Sequence, residues 1–230
     1  QNPLIKFNPP RWRRDAPGKL AEDQGIRKFT MSLSPEAPPR RLILASSSPF
    51  RQDLLRRLGV EFMALSPEVD ERAREGETPE NLARRLAEAK ARRIARDHPD
   101  ALIIGSDQVA VLNGRKVGKP GGHAAAVAQL SAASGQTLRF FTALCLLNAA
   151  ENRLQIDVVP CDVTFRRLSE AEIESYLRRE QPYGCAGSFK SEALGIALME
   201  RLEGPDPTAL IGLPLIRLTR MLENEGMKIL

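Results

Sequence analysis

Apolar and polar positions settle into a regular pattern from residue 42 onward. Residues 42–45 are all apolar, which is typical of a short buried strand. A segment with helical spacing follows, between the start signal Ser48-Pro49 and the stop signal Gly59. This part of the chain predicts a strand, a serine-rich turn and a helix in close succession.

A second unit of the same kind comes next. Thr78-Pro79 repeats the helix start signal, and the helical spacing of apolar residues continues until shortly before Pro99. Residues 101–105 form another apolar run. Residues 108–112 then lead to the turn pair Asn113-Gly114, which is typical of a β-hairpin.

The second half of the chain predicts two long strands between helices. The strands are expected at 137–147 and 154–165, after a helix rich in small residues at 124–133. Ser169 and Glu172 form a capping box for a helix that ends near residue 179, and a last helix is expected at 214–222. This order, without an internal repeat, indicates a mixed α/β domain.

Residues 1–40 lack such periodicity. They hold seven of the seventeen prolines, a composition that predicts a flexible, basic extension ahead of a domain at 41–230. Met31 is a candidate natural start. The acids Asp15, Glu22 and Asp23 disfavour a transit peptide.

The net charge of +5 is concentrated in that extension. Residues 1–41 contain nine Lys and Arg against four acids, and subtracting these from the totals of 34 and 29 leaves 25 of each in residues 42–230. A body without excess charge disfavours an extended nucleic-acid interface. A nucleic-acid-binding role for residues 1–40 stays open on charge alone.

Cysteines and histidines are sparse. The three cysteines are far apart, and neither His98 nor His123 lies near one at the spacing of metal ligands, which disfavours a zinc site. The longest apolar run, at 140–147, is much shorter than the roughly 20 residues that cross a bilayer. Without a signal peptide's apolar core, and with thiols suited to a reducing compartment, the sequence predicts a soluble cytoplasmic protein without membrane contact.

The turn after the first strand is a candidate phosphate site. Hydroxyls of Ser46 and Ser48, the N–H groups of a helix start and the helix dipole all favour an anion there, and Arg51 adds a positive charge. An ordinary capped helix with a solvated arginine explains the local pattern equally well.

The tetrad at 105–108 follows the second apolar strand. We therefore expect Asp107 at the carboxyl end of that strand, where α/β sheets place ligands. A carboxylate there can hold a divalent ion or accept a proton from water, although aspartates more often stabilise turns. Lys119, in the loop after the hairpin, suits a phosphate contact, but loop lysines are usually solvated.

Residues 185–192 place small residues, hydroxyls, an aromatic ring, a lysine and an acid together. Such a loop can hold a base and a phosphate at once, or it can be a connecting turn whose Phe189 fills the core. Glu71 and Lys90 are ordinary by themselves, since acids before helices usually serve the helix dipole and helix lysines are usually solvated.

Taken together, six motifs resemble those of the Maf family of nucleotide pyrophosphatases, in the same order and over residues 41–227. They are Leu44-Ala45-Ser46-x-Ser48-Pro49-x-Arg51, Val69-Asp70-Glu71, Ala89-Lys90-Ala91, Ile104-Gly105-Ser106-Asp107-Gln108, Gly118-Lys119-Pro120 and Gly187-Ser188-Phe189-Lys190-Ser191-Glu192. Six agreements in order override the ordinary interpretation of each motif alone.

The resemblance implies a two-lobed α/β fold similar to that of the inosine triphosphatases, with an elongated mixed sheet along a central cleft. It also implies a nucleoside triphosphate substrate, a divalent metal, Mg²⁺ or Mn²⁺, and a homodimer. Asp107 is expected to accept the proton of the attacking water and, with Glu71, to contact the metal. The triphosphate is expected to lie against Ser46, Arg51, Lys90 and Lys119.

Three positions separate the substrate classes of the family, and here they are Phe50, Gln108 and Glu192. The branch acting on dTTP and UTP has arginine, threonine and glutamine there. The branch acting on 7-methyl-GTP has an aromatic residue, commonly tryptophan, then glutamine and glutamate. The chain resembles the second branch, with phenylalanine for tryptophan, which implies cleavage of 7-methyl-GTP between its α and β phosphates.

The chemistry of these side chains agrees with that substrate. Methylation at N7 makes guanine cationic, and a ring such as Phe50 gains roughly 0.5–2 kcal/mol from a cation–π contact. Glu192 can accept from N1–H and the 2-amino group, a pair of donors that uracil and thymine lack. We expect in-line attack by water, without a covalent intermediate, to give a mononucleotide and pyrophosphate.

Two other functions stay open. Few residues set the substrate choice, so dTTP, UTP or another modified nucleotide is an alternative substrate. A non-catalytic, nucleotide-binding regulator of cell division is the alternative from another class. The complete set of Asp107, Lys90 and Lys119 argues against a purely binding role.

Overall fold

The computed structural model describes residues 40–230. The predicted extension at 1–40 lies outside these residues except for Arg40, so its flexibility stays a prediction. Within 40–230 the chain forms one seven-stranded sheet and six α-helices. No helix in this range is both long enough and apolar enough to span a membrane.

Strands and helices are interspersed along the chain. The strands are β1 (Leu42–Ala45), β2 (Met63–Leu65), β3 (Leu102–Leu112), β4 (Arg115–Val117), β5 (Thr137–Asn148), β6 (Arg153–Phe165) and β7 (Met199–Glu203). The helices are α1 (Pro49–Arg56), α2 (Pro79–Ala95), α3 (His123–Ala133), α4 (Glu170–Glu180), α5 (Pro207–Ile211) and α6 (Leu215–Asn224), and short 3-10 segments lie at Ala186–Ser188 and Leu194–Leu198.

The sheet is mixed, with strand order β2-β1-β3-β5-β6-β7 and with β4 beside β3. Strand β1 pairs in parallel with β2 and with β3. The other pairs are antiparallel: β3–β4, β3–β5, β5–β6 and β6–β7. The mixed α/β sheet predicted from the sequence is confirmed.

Helices cover both faces of the sheet around β1 and β3. Ile43 and Ile103 pack against Ala87 and its neighbours on α2, while Leu44 and Ile104 pack in the cluster that contains α1 and α6. Successive strand residues point to opposite faces, so a strand covered on both sides is apolar at every position. This explains the unbroken apolar runs at 42–45 and 101–104.

The other end of the sheet has its own core. Phe140 of β5 and Phe165 of β6 are buried there against residues of α3 and α4, among them Leu130 and Leu177. Helix α4 begins at the predicted capping box, in which Ser169 and Glu172 bond each other reciprocally. Phe140 of this core also lines the cavity described below.

Strand β3 is left open in its middle. On one edge it pairs with β5 along its whole length, from Leu102 to Leu112. On the other edge β1 pairs only as far as Gly105, and β4 pairs only from Ala110. Residues 106–109 therefore have no strand beside them on that edge within the described chain, and this gap positions the candidate site.

Asp107 is not at the end of its strand, which corrects the sequence prediction. Strand β3 continues five residues beyond it, to Leu112, because the antiparallel ladder with β5 does not stop at Gly105. It is the parallel partner β1 that ends there, at Ala45. Asp107 thus lies beyond the carboxyl end of β1, on a strand that passes through the gap.

Most other predicted elements are confirmed, to within about two residues at their ends. The hairpin at Asn113-Gly114 joins β3 to β4, with both turn residues at positive φ. The sequence prediction did not include β2, β7 and α5. Each has five residues or fewer, too few for a hydrophobic period to be recognised.

Candidate active site

A cavity of about 740 Å³ lies against the open edge of β3. The nine residues predicted for the site come from α1, α2, β3 and several loops. All nine line this cavity: Ser46, Phe50, Arg51, Glu71, Lys90, Asp107, Gln108, Lys119 and Glu192. Residues far apart in the chain are therefore brought together, as the resemblance requires. Their individual roles stay predictions.

Serine hydroxyls organise the turn between β1 and α1. Ser48 caps α1 by accepting from the Arg51 N–H at 3.4 Å, with Pro49 in the first turn. Ser46 Oγ accepts from the Ser48 N–H at 3.2 Å and from Arg51 Nη1 at 3.4 Å. The turn thus gathers hydroxyls, a guanidinium and the N-terminus of α1 at one wall of the cavity, which favours an anion.

Arg51 is also held by the backbone that follows α5. Its Nε donates to the Gly212 carbonyl at 2.8 Å, and the buried Ser106 hydroxyl donates to the same oxygen at 2.8 Å. Burial lowers the pKa of Arg51, although Asp107 and Glu71 act in the opposite direction. A partly desolvated guanidinium gains more from a phosphate than one in open water does.

Lys90 joins two carboxylates. Its buried ammonium lies 2.6 Å from Asp107 Oδ1 and 2.7 Å from Glu71 Oε1. Helix α2 carries Lys90 to this point because small residues on the same face let the helix approach β3 closely. A Cβ added to Gly105 would lie 2.1 Å from the Ala87 carbonyl oxygen, so glycine is required at that contact.

The two carboxylates differ in basicity. Burial raises the pKa of Asp107, and the opposing effects of Lys90 and Arg51 are smaller. The hydrogen bond from Lys90 lowers the pKa of Glu71, which is more exposed to solvent. Of this pair, Asp107 is therefore the better proton acceptor.

The pair also fits the divalent metal that the resemblance implies. Mg²⁺ is commonly bound through one or two carboxylates, with substrate phosphates and water as its remaining ligands. Asp107 and Glu71 supply two carboxylates that meet at one ammonium beside the anion-binding wall. Among the described residues no group of three or more His, Cys, Asp or Glu is arranged to hold a metal.

Lys119 lies on the exposed loop that joins β4 to α3. The loop is fastened at Gly118, whose carbonyl accepts from Gln129 Nε2 at 3.1 Å, and at Gly121, whose N–H donates to the Tyr183 carbonyl at 3.0 Å. His123, just beyond it, bonds the Tyr183 hydroxyl at 3.0 Å. Lys119 on this loop lines the cavity.

Phe50, Gln108 and Glu192 approach the cavity from three different elements. Phe50 is partly buried on α1, and Glu192 is exposed on the loop before the second 3-10 segment. Gln108 is held most firmly, because its Nε2 donates to Thr142 Oγ1 at 2.9 Å and to the carbonyls of Ala209 and Leu210 at 3.0 Å.

The loop at 185–192 combines a core residue with residues that line the cavity. Phe189 is buried in the core, edge-on to Phe140 and Phe165. Lys190 turns away to the Glu180 carbonyl, at 3.1 Å. The interpretation of Phe189 as a core residue is therefore correct, and Glu192 is the charged side chain of this loop that lines the cavity.

The residues that hold the candidate site side chains in place were not predicted from the sequence. Thr142 stands within an apolar strand, and only the pairing of β5 with β3 sets it opposite Gln108. Helix α5 carries the start signal Asp206-Pro207 and the stop Gly212, but its five residues are too few to show a period. A search for caps rather than for periodicity finds this helix.

The family described as Maf-like protein matches residues 41–225 of the chain. The chain belongs to the Maf family. This Maf protein is 54% identical, over 87% of its length and 100% of the relative, to a 7-methyl-GTP pyrophosphatase of Nitrosococcus oceani. It is 55% identical, over 84% of its length and 100% of the relative, to a 7-methyl-GTP pyrophosphatase of Methylobacillus flagellatus.

A third relative, from Albidiferax ferrireducens, also named 7-methyl-GTP pyrophosphatase, is 53% identical over 83% of this Maf protein and 96% of the relative. Among solved structures, the Ham1 protein of Staphylococcus aureus has a TM-score of 0.45 and 13% identity, over 81% of this chain and 100% of that one.

Proposed function

We propose that this Maf protein hydrolyses the α–β phosphoanhydride of 7-methyl-GTP to 7-methyl-GMP and pyrophosphate. The observation that carries the proposal is the shared cavity, in which Asp107 and three cationic side chains meet beside Phe50 and Glu192. The three relatives above, all more than half identical, bear the name of this activity.

The anion-binding wall holds the triphosphate. Arg51 and Lys119 line the same cavity as positive charges, and the Ser46 hydroxyl and the N-terminus of α1 add hydrogen-bond donors. Because Arg51 is fixed through Nε to Gly212, its remaining N–H groups are oriented before the substrate arrives, which lowers the entropic cost of binding.

Asp107 accepts the proton of the attacking water. Burial keeps this carboxylate basic, and Lys90 fixes its orientation through a 2.6 Å hydrogen bond. As the water oxygen forms a bond to phosphorus, the bridging P–O bond breaks and pyrophosphate leaves with the electron pair. Asp107 and Glu71 would hold the divalent metal, which would neutralise charge on the phosphates.

The base is selected by Phe50 and Glu192. The ring of Phe50 favours the cationic 7-methylguanine over guanine, and the Glu192 carboxylate accepts N–H groups that pyrimidines do not present as a pair. On this proposal the acid selects guanine and the aromatic ring selects the methylated form.

A nucleotide panel tests the proposal. The full chain, with Mg²⁺ or Mn²⁺, is assayed for pyrophosphate release from 7-methyl-GTP, GTP, dTTP and UTP, and 7-methyl-GTP is expected to have the highest kcat/KM. A higher kcat/KM for dTTP or UTP would instead assign the protein to the branch that acts on those nucleotides. Tight nucleotide binding without turnover of any member would favour the regulator of cell division.

Glu192→Gln is the matched variant for base selection. It keeps the size of the side chain and removes its charge, so we expect the preference for 7-methyl-GTP over UTP to fall by about tenfold or more, which corresponds to about 1.4 kcal/mol. Glu223→Gln, on α6 and bonded to Arg220, is the control. An unchanged substrate ranking in Glu192→Gln would refute the assignment of this residue.

We also propose that the protein is a cytoplasmic homodimer. The described cysteines Cys145, Cys161 and Cys185 are unpaired, which suits a reducing compartment, and dimers are expected from the family resemblance. Light scattering on the purified chain measures the oligomeric state, and a monomer at all concentrations would exclude the dimer.

A further inference from the structure

The hydrogen bonds around Gln108 determine which end of its amide meets the cavity. Two of its three neighbours, the carbonyl oxygens of Ala209 and Leu210, can only accept. The third, Thr142 Oγ1, directs its own proton to the Ala209 carbonyl at 2.9 Å and so offers Gln108 a lone pair. All three neighbours therefore present lone pairs, toward which the two Nε2 protons of Gln108 can point.

Only the amide nitrogen satisfies these neighbours. With the amide reversed, its oxygen would face three acceptors, with which it cannot form a hydrogen bond. The orientation of the Gln108 amide therefore follows from the hydrogen-bonding character of its three neighbours. Thr142 is fully buried on β5, directly opposite Gln108, so this arrangement belongs to the rigid sheet.

The oxygen of the amide is left for the cavity. Gln108 lines the cavity, and within residues 40–230 its hydrogen bonds all run through Nε2. No buried side-chain polar atom in this range lacks a partner, so Oε1 is not enclosed without one. The cavity consequently has a carbonyl acceptor from Gln108 in addition to the carboxylate of Glu192.

We propose that Thr142 and the α5 carbonyls fix Gln108 as a hydrogen-bond acceptor for the guanine base, which makes Thr142 a positioning residue for base selection. The inference deepens the proposed function and rests on it. Guanine has three N–H protons, on N1 and the 2-amino group, that can be donated to Gln108 Oε1 and the Glu192 carboxylate. Uracil and thymine offer one, between two carbonyl oxygens that acceptors repel.

Thr142→Val tests the inference, because valine keeps the shape of threonine and removes the hydroxyl. The full-length protein is titrated calorimetrically with 7-methyl-GMP and with UMP, so that the result does not depend on turnover. We expect the Kd for 7-methyl-GMP to rise about tenfold and the Kd for UMP to stay the same or fall. In kinetics, KM for 7-methyl-GTP is expected to rise while kcat changes little.

Two variants serve as controls. Thr142→Ser restores the hydroxyl and is expected to restore binding, whereas Thr137→Val removes a hydroxyl of the same strand that bonds only Thr164 across to β6 and is expected to change nothing. Thr142→Ala removes the same hydroxyl if the valine variant does not fold. In a Gln108→Leu background, Thr142→Val is expected to have no further effect on Kd.

The outcomes separate this inference from the proposed function. Unchanged 7-methyl-GMP binding in Thr142→Val or Thr142→Ala, equal weakening of 7-methyl-GMP and UMP, or failure of the serine variant to restore binding would each overturn the role of Thr142. Absence of pyrophosphate release by the wild type, with the expected shifts in Kd, would instead overturn the proposed hydrolysis and leave the base-positioning role supported.

Discussion

Lys90 bonds two carboxylates, Asp107 and Glu71, whose surroundings differ. Asp107 is buried, which raises its pKa, whereas Glu71 is more exposed and has its pKa lowered by the Lys90 hydrogen bond. Pairs of acids whose environments move their pKa values apart are typical of sites that transfer protons. At the scale of single residues, we therefore expect the ionisation of Asp107 to control the rate.

We expect kcat/KM for 7-methyl-GTP to fall at acidic pH as Asp107 becomes protonated. A base must be ionised to act, and burial raises the pKa of Asp107 above its ordinary value of 3.8, so activity is lost as pH falls through that raised value. Glu71, whose pKa is lowered, stays ionised over that range. A pH–rate profile of the wild type, corrected for metal and nucleotide ionisation, measures the effect.

Asp107→Asn is the matched variant, and it is expected to lower kcat by about 10²–10⁴ and to abolish the acidic limb while 7-methyl-GMP binding stays measurable. Because the pKa of Asp107 is higher in the folded protein than in the unfolded chain, the free energy of unfolding decreases as the pH rises and Asp107 ionises. The neutral asparagine is therefore expected not to lower the melting temperature at neutral pH. Turnover at the wild-type rate would place the base elsewhere.

At the scale of elements, the contact between α2 and β3 decides whether Lys90 and Asp107 meet. Gly105 lies directly under the helix, with space for no side chain: an added Cβ would be 2.1 Å from the Ala87 carbonyl oxygen and 3.1 Å from Ala91 Cβ. Both obstacles belong to the helix itself, and one is backbone, so neither can turn aside as a flexible side chain does.

Gly105→Ala is expected to force α2 away from the sheet and to destabilise the protein by about 1–3 kcal/mol, or more if the core cannot adjust. Turnover should fall as well, because the displaced helix carries Lys90. Denaturant unfolding measures the stability. Gly184→Ala, at an exposed glycine with no atom near the added Cβ, is the control; equal stability of both variants would show that the contact is not tight.

What the sequence could predict of these elements depended on their length and caps. The helices that begin at Thr78 and Ser169 were predictable because a cap, a hydrophobic period and a length of more than ten residues agree. The extent of β3 was not, since the polar residues at 106–108 interrupt its apolar pattern while the pairing with β5 continues. Only the partner strand shows that the strand does not end there.

At the scale of the whole molecule, the site is a gap in the sheet closed from several sides. The order of the family motifs predicted which residues line the cavity, but not how they are held. The positions of Thr142, Gly212 and α5 follow from pairing and packing between distant segments. Local sequence patterns carry no signal for such contacts, whereas residues that contact a substrate form recognisable motifs.

The excess positive charge of the chain is found in its first 41 residues. Residues 42–230 carry 25 basic and 25 acidic side chains, so the net charge of +5 comes from residues 1–41. The nine candidate site residues all lie between 46 and 192, and the family match begins at residue 41. We therefore expect the segment before Arg40 to be dispensable for hydrolysis.

A chain that begins at Arg40 is expected to keep the kcat/KM of the full chain for 7-methyl-GTP and to melt at the same temperature. Arg40 is retained because it pairs with Glu151 at 3.1 Å and with the buried Glu225 at 3.5 Å.

The same two proteins are compared for retention on a DNA column at low salt. If residues 1–39 bind nucleic acid, retention is lost on truncation while turnover persists, since phosphate contacts by Lys and Arg provide most non-specific affinity. A loss of turnover on truncation would instead show that the segment contributes to the active site.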